Sequence, residues 1–241
     1  VVTKGELLYV GKAKQVFSTD NPELLWVHYL DQATALNGKK KVIIDGKGTL
    51  NLQISGLLFK ELSATGVPTH FVQDLDGQDM LVRKAKMVPL EAVLRNFASG
   101  HFVTKFNATP MMKLDPPVHE FYLKSDDLDD PFINDAQVIA LGISDEETLA
   151  AMKRMTDTVN TWLSRRFAEI GITLVDFKLE FGRLADGTLV LADELSPDNM
   201  RLVDADTGLS LDKDVFRKDA GPLTPVYAEV LNRLAAHPQE V

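Results

Sequence analysis

Between Leu174 and Arg201 the chain reads LVDFKLEFGRLADGTLVLADELSPDNMR, and no other stretch narrows the possible folds as far. Asp176, Lys178 and Glu180 stand at every second position of an apolar run. A β-strand sends alternate side chains to opposite faces, so the pattern predicts a strand with one apolar and one charged face. Asp186-Gly187 supplies a turn, and Leu189, Val190 and Leu191 lead a second strand back. The returning strand ends in Asp193, Glu194, Asp198 and Arg201, with Ser196-Pro197-Asp198 as a rigid polar turn. Such a hairpin brings Glu180 near Asp193, with Lys178 beside them. Clustered carboxylates at a strand end are costly unless a cation neutralises them, which predicts a divalent metal site serving a phosphorylated ligand. A solvated polar face on a two-stranded edge has the same alternation, and spacing alone leaves both readings open.

The rest of the chain sets bounds on that site. Its 241 residues suffice for one large domain or two small ones. The net charge of −9 argues against nucleic acid or an anionic membrane as the main partner, while leaving room for a locally basic phosphate pocket. Cysteine is absent, which excludes a disulfide framework, thiol catalysis and thiolate-bound zinc. No apolar run approaches the ~20 residues of a membrane span. No signal-peptide pattern is visible at Val1-Val2-Thr3-Lys4, so a cytoplasmic location is the expectation.

Hydrophobic periodicity predicts strands over 6–30, a helix over 49–65 ending at Gly66, and strands again over 68–98. From residue 100 to about 135 the pattern loosens around Pro110, Pro116, Pro117 and Pro131, which predicts irregular chain and a lid. A long helix follows, with Ser144 and Glu147 as its capping box and Gly171 as its stop. Its Met152, Met155, Trp162 and Phe167 fit a core-facing stripe. After the acidic hairpin the expectation is irregular chain to Phe216-Arg217, then a final helix over about 221–236. The whole reads as an α+β chain of two lobes, 1–86 and 87–241, with a ligand cleft between them.

Several short segments carry possible chemistry. Gly11-Lys12-Ala13-Lys14 is a glycine turn whose backbone N–H groups and lysines suit a phosphate, or a plain solvated hairpin turn. Neither a P-loop nor a dinucleotide fingerprint is present. Met87-Val88-Pro89-Leu90-Glu91 reads either as a hinge reading an adenine edge or as a strand broken by proline. Arg95-Asn96-Phe97-Ala98-Ser99-Gly100-His101 joins an arginine suited to bidentate anion contacts with small residues that let the backbone approach; a surface arginine is the alternative. Asp126, Asp127, Asp129 and Asp130 lack calcium-loop spacing and read mainly as a solvated loop. The five histidines make no ligand spacing, and His28 reads as structural.

Taken in order, GKAK, MVPLE, the RNxAxG block, DDPxxN at 129–134, LVDFKLEFG at 174–182, DELSPDxxR at 193–201 and KDVFR at 213–217 resemble the SAICAR synthetase family (phosphoribosylaminoimidazole-succinocarboxamide synthases) over about residues 6–236. The resemblance implies an ATP-grasp-like C-terminal lobe and an ATP- and magnesium-dependent ligase of de novo purine synthesis. Such a ligase joins carboxyaminoimidazole ribonucleotide (CAIR) to L-aspartate, through an acyl phosphate, releasing ADP and phosphate. It also implies roles by position. Lys12, Ala13 and Lys14 match the turn at the ATP phosphates, Met87 the adenine contact, and Lys124 a lysine near the nucleotide. Glu180 and Asp193 match the magnesium acids, which also belong to the ATP site. Lys178 is expected at the substrate carboxylate or the transferring phosphoryl group. Arg95 and Arg201 match binders of the ribonucleotide phosphate, joined by Ser99, Gly100 and His101. Asp130, Asp176 and Asp198 match acids beside the imidazole nucleotide. Lys178, Arg201 and Asp198 are the expected catalytic group. Family members are often dimers or larger, which implies a homo-oligomer.

The chain departs from the common pattern in three places. His101 stands where many members carry a serine, Val10 where many have arginine, and the loop Asp31–Gly38 lacks the GDG form of some members. Two alternatives remain at this stage: a carboxylate–amine ligase for another substrate pair, and a nucleotide-binding protein without turnover.

Overall fold

A computed structural model describes residues 2–35 and 40–239. The chain opens with strands β1 (Lys4–Val10), β2 (Lys14–Thr19), β3 (Leu24–Tyr29), β4 (Gln32–Ala35) and β5 (Lys40–Ile43). Helix α1 (Lys47–Ala64) follows, then β6 (Phe71–Asp74), β7 (Asp79–Arg83), β8 (Lys86–Phe97), α2 (His101–Phe106) and β9 (Lys113–Leu123). A single helical turn at Asp126–Leu128 leads to β10 (Phe132–Ile133), α3 (Asp135–Ala140) and α4 (Glu146–Ala168). The remainder is β11 (Ile172–Arg183), β12 (Leu189–Ala192), β13 (Met200–Asp204), α5 (Asp214–Arg217) and α6 (Leu223–Ala236).

Two larger antiparallel sheets organise these elements, with β4 and β5 paired as a separate two-stranded sheet. The first has the order β1-β2-β3-β7-β6, and the second β10-β9-β8-β11-β12. They touch where β12 meets the chain before β6: His70 N–H donates to the Leu191 carbonyl at 2.8 Å and Leu191 N–H to that of Pro68 at 2.9 Å. One apolar core runs through both sheets, from Tyr29 and Met80 to Phe177 and Phe181. α1 packs against α6 and the first sheet, and α4 covers β8 and β11. The apolar spacing of α1 explains its burial of Ile54, Leu58, Phe59 and Leu62.

β11 is the strand that builds the site. One edge pairs with β8 along most of its length. The other is shared: Glu180–Arg183 pair with β12, and Ile172–Phe177 with β13. Chain 193–199 must leave the sheet between these two partners, directly beside Lys178, whose N–H donates to the Asn199 carbonyl at 2.8 Å. Phe177, Leu179 and Phe181 enter the core, so Asp176, Lys178 and Glu180 take the opposite face, as the alternation predicts.

Four expectations are corrected. The stretch 100–135 is not mainly irregular, because β9 lies within it between β8 and β10. Pro116 and Pro117 sit where the β8–β9 pairing slips between Val118 and Lys113, so no ladder bond asks for their absent N–H. Pro89 sits in the same way in the slip between Met87 and Glu91, and β8 runs through it without a break or hinge. The cap of α4 is Asp145, which accepts from Thr148 N–H at 2.7 Å, not Ser144. The stretch expected to be irregular before residue 216 holds β13, paired to β11.

Candidate active site

The charged face of β11 gathers side chains from five segments. The Lys178 ammonium lies 2.7 Å from Glu180 Oε1, 3.0 Å from Glu91 Oε1 on β8 and 4.0 Å from Asp193 Oδ2. Lys14, at the start of β2, reaches across to Asp193 Oδ1 at 2.5 Å and Glu194 Oε1 at 3.1 Å. Lys124 donates to the other Glu180 oxygen. Burial works against the charge on Lys178, yet Glu180, Asp193 and Glu91 outweigh it and hold the pKa well above the ordinary lysine value. Burial likewise opposes the Asp193 carboxylate, and Lys14, Lys178 and Lys124 more than offset that, holding it below the usual carboxylate range. Both groups therefore stay ionised. Asp193 is left-handed at φ 62°, at the point where the chain turns out of β12.

A second group sits toward the other end of β11. Asp176 accepts from Arg95 at 2.6 Å and from Arg201, on β13, at 2.9 Å. Arg95 also donates to Glu120 at 2.9 Å, so its buried guanidinium is held between two carboxylates. Arg201 adds Asp214 at 3.3 Å and lines a cavity of about 230 Å³ with Ser99, Met111, Ser210, Asp214 and Lys218. The arginine turned to the cavity is thus Arg201, while Arg95 fixes Asp176.

Asp198 lies between the two groups, deeply buried. Its Oδ2 accepts from Lys47 of α1 at 2.6 Å and its Oδ1 from Tyr227 of α6 at 2.5 Å. Lys213 stands 3.8 Å from Oδ2. Burial raises the cost of the Asp198 charge, but Lys213 and Lys47 overcome it and keep the pKa below the usual range.

The remaining expected residues lie around this face. Lys12 is half-exposed and pairs with Asp126 at 2.8 Å and Asp130 at 3.9 Å. Ala13 accepts from Leu30 N–H at 2.8 Å, which pins the glycine turn to the end of β3. Met87 is exposed on β8 beside Gly182. His101 is exposed as the first residue of α2, outside the cavity lining, whereas Ser99 is within it. The departing loop Asp31–Gly38 is described only as far as residue 35, and Asp31 accepts from Gly48 N–H and Gln78. Sequence reasoning placed Glu194 in the acidic cluster without giving it a role, and it missed Glu91 and the buried Lys47 and Tyr227. Glu91 was legible as part of MVPLE, but nothing local marks Lys47 or Tyr227, which reach Asp198 across 151 and 29 residues.

The donor set suits magnesium. Among the described residues no group of three or more His, Cys, Asp or Glu forms a metal cage. Magnesium is commonly bound through one or two carboxylates, waters and the ligand's own phosphates, and Glu180 and Asp193 beside three lysines provide that chemistry.

The geometry is a face of paired lysines and carboxylates built on β11 and its neighbours, and the fold that carries it has known relatives. The SAICAR synthetase family profile matches residues 7–234. The chain belongs to the SAICAR synthetase family. A phosphoribosylaminoimidazole-succinocarboxamide synthase of Lacticaseibacillus casei is 64% identical, over 98% of this chain and all of that protein. The crystal structure of the synthase from Ehrlichia chaffeensis superposes with a TM-score of 0.93 at 40% identity, covering 97% of this chain and all of the other. A SAICAR synthetase in complex with ADP gives 0.92 at 42% identity, covering 98% and 100%. No helix among the described residues is long and apolar enough to cross a membrane.

Proposed function

We propose that this chain is an ATP-dependent carbon–nitrogen ligase that joins CAIR to L-aspartate, forming SAICAR, ADP and phosphate in de novo purine synthesis. The observation that carries the reading is Lys178, held between Glu180 and Asp193 and flanked by Lys14 and Lys124. A carboxylate is a poor electrophile, so its oxygen must first become a leaving group. Phosphorylation by ATP does this, and the acyl phosphate is then open to the aspartate amine.

In this reading Lys12, Ala13, Lys14 and Lys124 hold the ATP phosphates and Met87 meets the adenine. Lys178 faces the oxygen that receives the phosphoryl group, where a fixed, fully ionised ammonium stabilises charge without reorganisation. Glu180 and Asp193 would hold magnesium, which when bound offsets the charge of the phosphates. Ser99, Gly100, His101 and Arg201 take the ribonucleotide phosphate, with Arg95 acting through Asp176. Asp130, Asp176 and Asp198 offer acceptors to the rest of the nucleotide. Residues 1–86 serve as the nucleotide lobe and 87–241 as the ATP-grasp-like substrate and metal lobe. The substrates are charged intracellular metabolites, which supports a cytoplasmic place, and the family supports a homo-oligomer.

The test is ADP release with magnesium-ATP, CAIR and aspartate, each omitted in turn. Release that needs all three, with SAICAR formed, is the expected result. ATP binding without release under any combination overturns the reading.

A further inference from the structure

Each acid expected at magnesium stands beside a second acid, and each such pair shares one lysine. Glu180 of β11 is directly opposite Glu91 of β8 in the antiparallel ladder. Lys178 bridges them, 2.7 Å from Glu180 and 3.0 Å from Glu91. Asp193 is followed in the chain by Glu194, and Lys14 bridges these two at 2.5 Å and 3.1 Å. Like charges directly opposite on neighbouring strands destabilise a sheet, so the fold by itself has no use for Glu91. Glu194 is buried, and the Ser196 hydroxyl donates to its other oxygen at 2.6 Å.

Among the described residues, the ammoniums of Lys14, Lys124 and Lys178 pair with four carboxylates, those of Glu91, Glu180, Asp193 and Glu194. One negative charge is in surplus, which suits a cation. The ammoniums nevertheless stand at the metal acids themselves. Lys178 and Lys124 take the two oxygens of Glu180, Lys14 takes Asp193 Oδ1, and Lys178 faces Asp193 Oδ2 at 4.0 Å. Glu180 and Asp193 cannot hold a dication and keep all three ammoniums so close, because like charges repel. Lys178 and Lys14 each have a second acid already within hydrogen-bond reach. Lys124 does not: among the described residues Glu180 is its only carboxylate partner, and its side chain is 43% exposed.

We propose that Glu91 and Glu194 are positioning residues, which hold Lys178 and Lys14 in place when Glu180 and Asp193 turn to magnesium. This rests on the magnesium acids of the ligase reading. In the exchange Lys178 keeps Glu91, Lys14 keeps Glu194, and Lys124 moves from Glu180 to the nucleotide phosphates. Every charge then has a partner and no proton moves. The Lys178 ammonium stays where the phosphoryl group is received. Glu91 acts through Lys178 and not as a metal ligand, in line with the lack of any three-acid cage among the described residues.

The test titrates ADP into the protein by calorimetry, with magnesium and again with EDTA. The ratio of the two affinities is the metal's share. The wild type should bind more tightly with magnesium. Without Glu91, Lys178 has only the metal acids to pair with and competes for them, so in Glu91→Gln the share should fall about tenfold. In Lys178→Met the competing ammonium is gone, and adding Glu91→Gln should change the share little. Lys178→Gln replaces Lys178→Met if that variant fails to fold. Glu194→Gln with Lys14→Met should behave likewise. Glu91→Asp keeps the charge and should restore most of the share. A wild type that binds ADP equally with magnesium and EDTA overturns the inference. So does a fall of equal size with and without Lys178, which would make Glu91 a ligand or a distant charge. ADP release with all three substrates is measured separately. Its absence in a wild type that shows the expected pattern overturns the ligase reading and leaves the exchange of partners standing.

Discussion

Gly100 is pressed against the guanidinium of Arg201: a Cβ on Gly100 would lie 2.6 Å from Nη2. The glycine also holds φ 55° with ψ −136°, a conformation nearly closed to other residues. Gly100→Ala should cost about 1–3 kcal/mol of strain or displace Arg201. The expected outcome is a KM for the ribonucleotide raised about tenfold or more, with KM for ATP little changed. Steady-state kinetics in each substrate check it, and equal effects on both would place Gly100 away from the ribonucleotide.

Lys178→Ala and Asp193→Ala should each abolish turnover while the chain still folds. The loss expected for removing a fixed electrostatic contact is at least about 10²–10³-fold in kcat. Circular dichroism separates this from unfolding. Near-native activity in either variant would show that the phosphoryl group is handled elsewhere.

Arg95 and Arg201 should fail differently, although both touch Asp176. Arg95 is buried between Glu120 and Asp176, and Arg95→Met leaves both carboxylates short of a buried partner. Breaking such a pair typically costs about 3–5 kcal/mol, visible as a lower urea midpoint. Arg201 faces the cavity, so Arg201→Met should cost less stability and more ribonucleotide affinity. A reversal of that order would exchange the roles assigned here.

Asp212 gives a pH signature. Burial pushes its pKa up to about 6, against the donations of the Asp214 and Leu202 N–H groups. A carboxyl raised in the folded state contributes stability that is fully present below the unfolded pKa near 3.8 and is lost as pH rises through about 6. The loss is on the order of 1–3 kcal/mol. Asp212→Asn removes this contribution, so the drop in wild-type stability between pH 4 and 7 should be smaller in the variant. Parallel unfolding curves across that range would contradict it. Asp214 runs the other way: despite burial, Arg201, Arg217 and Lys218 hold it at about 2, so its stabilisation is lost only as pH falls from about 4 toward 2.

Much of the site was legible because β-strands convert spacing into position. Asp176, Lys178 and Glu180 at every second residue had to share a face, and Asp186-Gly187 had to return the chain toward them. The helices over 47–64 and 146–168 were legible for the same kind of reason, a stripe of apolar residues at helical spacing. Local patterns failed where long-range pairing supplied the order. The prolines of β9 read as irregular chain because the slips that accommodate them exist only once β8 lies alongside. β13 went unread because its burial comes from β11, already spoken for by β12 in a simple hairpin.

By itself the sequence determined which residues share the charged face of β11 and which family's motifs they form, since both depend only on order along the chain. The tertiary structure decided how those charges are balanced. Lys47 and Tyr227 meet at Asp198 because α1 and α6 pack together, and Arg95 is drawn inside because Glu120 and Asp176 flank it on neighbouring strands. Buried charges are stable only beside partners, and partners so far apart in the chain are chosen by packing rather than by spacing.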